Sequence, residues 1–126
     1  MIERRHPAEL YAAELERART QLRALIESTD GSASEICAAA VRVKELELRL
    51  AASRLAQAEY YLASLKARVS FLEARTATPG VAARAEEQEL SWAREALPSN
   101  IAAVASLSED VTRLKHELKG LTVQAA

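Results

Sequence analysis

Forty-seven consecutive residues, Ser32 to Thr78, contain neither glycine nor proline. Few folds accept such a run. Strands must be punctuated by turn residues every few positions, whereas a helix needs no such break. The residues that fill the run favour helix. The 126-residue chain has 27 Ala and 17 Leu, with many Glu and Arg, and these side chains lose little freedom in a helix. The run predicts one helix of roughly 40 residues, about 60 Å long. Ser32 and Glu35 at its start have the spacing of a capping box, which satisfies backbone N–H groups of the first turn.

Along this helix the apolar positions fall into two sets. Ile36, Ala39, Val43, Leu46 and Leu50 form the first; Leu55, Ala58, Leu62, Leu65, Val69 and Leu72 form the second. Each keeps the 3-4 spacing of a heptad seam. The step from Leu50 to Leu55 is five residues, which turns the apolar face by roughly 140°. A face that turns implies a change of packing partner.

Shorter helices flank this one. A first is expected over about 7–28, with seam residues Tyr11, Leu15, Ala18, Leu22 and Leu25. Pro7 suits its first turn, and Thr29-Asp30-Gly31 ends the helix, with Gly31 able to take the left-handed cap conformation. Thr76 to Gly80 reads as a turn. A third helix is expected over about 81–97, with one stripe at Leu90, Ala93 and Leu97 and another at Val81, Ala85, Trp92 and Ala96. Pro98 removes a hydrogen bond and crowds the preceding turn, so a break or kink is expected there. A fourth helix is expected over about 99–119, with Ile101, Val104, Leu107, Val111, Leu114, Leu118 and Leu121 as its seam and Gly120 as its stop. Ser108-Glu109-Asp110 resembles a helix start, but the seam passes through it in phase, so continuity is expected at that point.

Short turns make neighbouring helices antiparallel. Folding about Gly31 and Thr78 brings the start of helix one, the phase change and Pro98 to one level. The expected fold is an all-α antiparallel helical bundle or coiled coil, forming a single domain. A three-helix body would comprise about 7–55 and 98–120, with a projecting two-helix arm over about 56–97.

Charge narrows the function classes. Seventeen basic and 18 acidic residues give a net charge of −1, without the basic excess of a dedicated nucleic-acid binder. Arg4, Arg5 and His6, with Arg17, Arg19 and Arg23, could form a small basic patch, but Glu3, Glu9, Glu14 and Glu16 dilute it. The lone Cys37 permits no intrachain disulfide and fits a reducing compartment. No apolar run approaches the ~18 residues of a membrane span, and the N-terminus lacks the apolar segment of a signal peptide. The expected location is cytoplasmic.

No residue pattern carries catalytic chemistry. His6 and His116 stand alone, without a metal-site partner at i+3 or i+4. Cys37 lies in the first turn of the long helix and could approach His116, but a small half-buried cysteine is the default. The carboxylates fit helical ion pairs, such as Glu14 with Arg17, Glu45 with Arg49, and Glu95 near Arg94. Phosphate loops, GxSxG and zinc-type cysteine pairs are missing from the sequence. No enzyme activity, cofactor or metal is expected.

The most suggestive residues lie in the expected arm. Tyr60, Tyr61, Phe71 and Trp92 join Leu65, Leu72 and Leu90 as a candidate interface. Two helices alone bury little apolar surface against the entropy they lose. A second copy, giving a homo-oligomer such as a dimer, or a partner helix would offset that. The expected function is a non-enzymatic coiled-coil assembly module: a scaffold, adaptor, small chaperone or virion component. The alternative is a small regulator or inhibitor that binds nucleic acid or a nucleic-acid enzyme.

Overall fold

A computed structural model of the protein describes residues 7–28 and 30–125. Arg4, Arg5 and His6 of the basic cluster, and Thr29 of the first turn, lie outside the described residues. Among the described residues the fold is an all-α helical bundle of three helices: α1 (Pro7–Glu27), α2 (Ala33–Thr76) and α3 (Arg84–Ala125).

Local chemistry explains the ends of the helices. At the start of α2, Ser32 Oγ accepts a 3.1 Å hydrogen bond from the Glu35 N–H. Gly31 does not take the expected left-handed conformation, since Gly80 is the only residue with positive φ among the described residues. Gly31 serves close approach instead. A Cβ placed there would lie 2.6 Å from the Leu25 carbonyl oxygen. The turn after α2 does use the left-handed region, at Gly80 with φ of 80°. The Val81 N–H bonds the Thr78 carbonyl within this turn, so α3 begins at Arg84 rather than Val81. Its first turn is capped by Glu86, whose Oε1 accepts from the Ala83 N–H at 3.3 Å.

Of the break or kink expected at Pro98, the break does not occur. One 42-residue helix replaces the two expected ones, running through Pro98 and past Gly120 to Ala125. Proline deprives the Arg94 carbonyl of its helical donor, but Arg94 and Pro98 are both exposed, where water can serve that carbonyl. Nearby, the side chains of Ser99 and Asn100 both donate to the Ala96 carbonyl, at 3.0 and 2.8 Å. Apolar packing occurs on either side of the proline: Ala93 and Leu97 belong to one apolar cluster, and Val111 and Leu114 are buried farther along. Gly120 faces open space, and a glycine there costs the helix only about 1 kcal/mol.

The chain divides into two compact units. The first takes in the chain up to Arg54 together with Leu107 onward; the second spans Leu55–Ser106. The division of α2 falls inside the five-residue step between Leu50 and Leu55. On α3 it falls after Ser106, beyond Pro98.

In the first unit, Leu15 of α1 packs with Val43, Leu46 and Leu50 of α2. A chain of ion pairs joins all three helices. Arg19 reaches Glu47 at 3.7 Å, and Lys44 reaches both Glu47 at 3.3 Å and Glu117 at 2.9 Å. Glu117 also pairs with Arg113 at 3.2 Å. The hydrogen bond from Lys44 holds the Glu117 carboxyl below its ordinary pKa, and the same bond raises that of Lys44. Several expected pairings are replaced by others. Glu14 of α1 approaches Arg42 of α2 and Arg94 of α3 reaches Glu73 of α2, whereas Glu45 pairs within α2, with Arg42.

The second unit is an antiparallel hairpin of α2 and α3. Its core is short: Leu65, Val69 and Leu72 against Leu90 and Ala93, with Ala96 and Leu97 alongside. Three ion pairs, Arg68–Glu89, Arg75–Glu86 and Glu73–Arg94, connect the helices.

Candidate interaction surface

The seven candidate interface residues separate by burial. Leu65, Leu72 and Leu90 are buried in the hairpin's own core. They present no surface to a partner, because the inner seam of a two-helix unit consumes every large aliphatic side chain that faces across it. The four aromatics are left outside: Tyr60 is 78% exposed, Trp92 57%, Phe71 49% and Tyr61 48%. None of them fills the internal seam.

Helical geometry shows why three of them share a face, Tyr61 lying about 100° round α2 from Tyr60. At about 100° per residue, the core positions Leu65, Val69 and Leu72 cluster on one side of α2. Tyr60 and Phe71 are eleven residues apart and so lie within about 20° of each other, turned about 140° from that core side. They belong to a second stripe on α2: Gln57, Tyr60, Ser64, Ala67, Phe71 and Ala74. The steps are 3, 4, 3, 4 and 3, and all six residues are exposed. A matching stripe runs along α3 through Ala85, Gln88, Trp92, Ala96, Ser99 and Ala103, with only Ala96 half-buried.

Neither stripe carries a charge. The second unit has eleven charged residues, and all of them lie off these twelve positions. An ordinary solvated helix face would hold several, because that is where charges are cheapest. Six uncharged positions in 3-4 register describe a seam without a partner helix. Sequence reading singled out the aromatics but missed Gln57, Ser64, Ala67 and Ala74. The available signal was the absence of charge at heptad spacing, which the more apolar inner seam masks.

Both stripes lie on one side of the hairpin. Arg68 stands within a turn of both Ser64 and Phe71, and Glu89 within a turn of both Ala85 and Trp92. The bidentate Arg68–Glu89 bridge, at 2.6 and 2.9 Å, therefore joins the adjacent edges of the two stripes. Arg75 and Glu86 make a second bidentate bridge nearer the turn.

These bridges also fix an aromatic side chain. The guanidinium carbon of Arg68 lies 5.2 Å from the centre of the Phe71 ring, and that of Arg75 lies 5.8 Å from it. A ring attracts cations at its face, and here both cations are themselves anchored. Hydrogen bonding to Glu89 and Glu86 raises the pKa values of Arg68 and Arg75, and lowers those of the two carboxyls. Phe71 is thus exposed yet held, so burying it against another surface would cost little further rotamer freedom.

The other candidate groups are not brought together. Lys44, seven residues after Cys37, is level with Glu117. Cys37 therefore lies about two turns beyond His116. His116 is exposed, beside Ser108, Glu109, Thr112 and Arg113. No group of three or more metal-binding side chains occurs among the described residues, and none of their helices is long and apolar enough to cross a membrane. Comparison with known proteins finds no matching family, no similar curated protein and no similar solved structure.

Proposed function

We propose that this chain is a non-enzymatic assembly module that works by packing helices of another protein chain against the two uncharged stripes that flank the Arg68–Glu89 bridge on its Leu55–Ser106 hairpin. One observation carries the reading: two exposed stripes in heptad register hold Tyr60, Phe71 and Trp92 and no charge. Aromatic side chains anchor interfaces because they bury large areas with few rotors. Uncharged small residues between them let a second helix approach closely. Scaffold, adaptor and chaperone roles all use such a face.

The nucleic-acid alternative draws less support. The arginines beside the stripes are already bound to carboxylates, so they are not free to neutralise phosphate.

Trp92 is the only tryptophan and reports directly on this face. Its fluorescence in the assembled protein should be blue-shifted and poorly quenched by acrylamide, relative to the dilute chain. An assembled form in which Trp92 stays as quenchable as in the isolated chain removes the reading.

A further inference from the structure

The first unit holds its helices unequally. Leu15 is the only buried residue of α1. Its companions against α2 are Ala8, Tyr11, Ala12, Ala18 and Leu22, all only partly buried, and the alanines among them offer one methyl group each. Two ion pairs add to this contact, Glu14–Arg42 at 3.6 Å and Arg19–Glu47 at 3.7 Å. Both are longer than a hydrogen bond. The side chains of Glu14, Arg19 and Arg42 are 40–48% exposed, so water screens the pairs and they contribute little. Toward the turn, a groove of about 460 Å³ opens between α1 and α2, lined by Ala18, Leu25, Ala38 and Ala39. The grip of α1 therefore centres on Leu15.

The same stretch of α2 holds α3 more firmly. Lys44 donates to Glu117 at 2.9 Å, and Val111 and Leu114 are both buried. Within the described residues, α1 joins the rest only through the turn after Glu27. A helix of 21 residues is marginal on its own in water. Once Leu15 leaves its site, little else keeps α1 helical.

We propose that α1 is a detachable cover. It leaves α2 as a unit, while α2 and the last part of α3 stay folded, and so uncovers Val43, Leu46 and Leu50. These three residues are 1–8% exposed with α1 in place, and their 3-4 spacing makes them a continuous aliphatic seam once it is gone. Segments with few buried apolar contacts are the ones that open below the free energy of global unfolding, and α1 is such a segment. The cover makes the seam a latent apolar face, available only while α1 is away. This inference does not rest on the assembly reading, which concerns the other unit.

Hydrogen exchange on the full chain tests it. Amides from Ala12 to Leu22 should exchange through one shared opening, at least about tenfold more populated than the opening of amides from Val43 to Leu50. In a chain carrying Cys37→Ser and Val43→Cys, a thiol reagent should label position 43 at the opening frequency of the α1 amides. Release of α1 exposes that side chain but leaves the α2 backbone hydrogen-bonded. Adding Leu15→Ala should raise both readings together, by roughly 30-fold or more. Equal protection of α1 and of residues 43–50 overturns the proposal, since α1 would then leave only when the whole unit unfolds. So does protection that falls off gradually from Leu15 toward the ends of α1, which is fraying rather than release. A thiol at position 43 that reacts no more often than its neighbouring α2 amides exchange, or that ignores Leu15→Ala, overturns it as well. Should Val43→Cys fail to fold, exchange on the wild-type and Leu15→Ala chains still decides.

Discussion

Lys44 and Glu117, 73 residues apart, meet in a 2.9 Å hydrogen bond that ties α2 to the last part of α3. It links the network through which Arg19, Glu47 and Arg113 connect the three helices of the first unit. The bond has a consequence for pH. The carboxyls of Glu117, Glu86 and Glu89 are held below the ordinary value of 4.5. Their stabilisation is complete above that value and is lost as pH falls through the depressed pKa values. Lys44 is raised above 10.5, so its contribution is complete below that value and is lost as pH rises through the raised one. The melting temperature, followed by circular dichroism, should be flat from about pH 5 to about pH 10 and fall on both sides. Replacing all three glutamates with Gln should flatten the acid limb. An unchanged acid limb in that variant rules out these bridges as its source.

Burial separates core from surface in the second unit. Leu72 is fully buried, and Leu72→Ala should cost about 2–5 kcal/mol, read from urea denaturation. Trp92→Ala should change monomer stability by no more than about 0.5 kcal/mol, the usual range for surface substitutions, while disturbing association strongly. A Trp92→Ala chain that unfolds without a change in assembly would place Trp92 in the core instead.

Pro98 interrupts the hydrogen-bond ladder of α3 without ending it. Pro98→Ala should restore a donor for the Arg94 carbonyl and stabilise the protein by up to about 3 kcal/mol. A loss of stability on thermal melting would mean that α3 needs the proline's local geometry.

Two glycines should respond oppositely to alanine. At Gly31 the new methyl would stand 2.6 Å from a backbone oxygen, and relieving that clash should cost about 1–3 kcal/mol. At Gly120 there is open space within a continuous helix, and Gly120→Ala should gain up to about 1 kcal/mol. Equal melting temperatures for the two variants would contradict this pair of environments.

Much of the fold was legible because helical order is local. The glycine-free run set the length of α2, the 3-4 spacing of Leu15, Val43, Leu46 and Leu72 marked the buried side of each helix, and Ser32 marked a cap. These depend on residues within a few turns of one another. The division into two helices at Pro98 was misread because the proline's local cost is real, while packing by Ala93, Leu97, Val111 and Leu114 outweighs it over a distance that spacing rules do not weigh. Gly31 was misread for a similar reason: its neighbour is the Leu25 carbonyl, and only the path of the turn brings them together. On the candidate surface, the aromatics were visible from the sequence. Which of the seven residues would face outward was not, since Leu65 and Phe71 are equally apolar in a list of letters.

The sequence by itself determined that this chain is helical, that its apolar face turns near Leu50, and that its aromatics concentrate between Tyr60 and Trp92. These follow from backbone propensity and periodicity, which act within single helices. Only the tertiary structure decided that α3 continues through Pro98, that Arg68 and Arg75 are held by Glu89 and Glu86 around Phe71, and that the uncharged stripes of two helices share one side of a hairpin. Those outcomes depend on the register between helices, which is set by side chains meeting across the bundle.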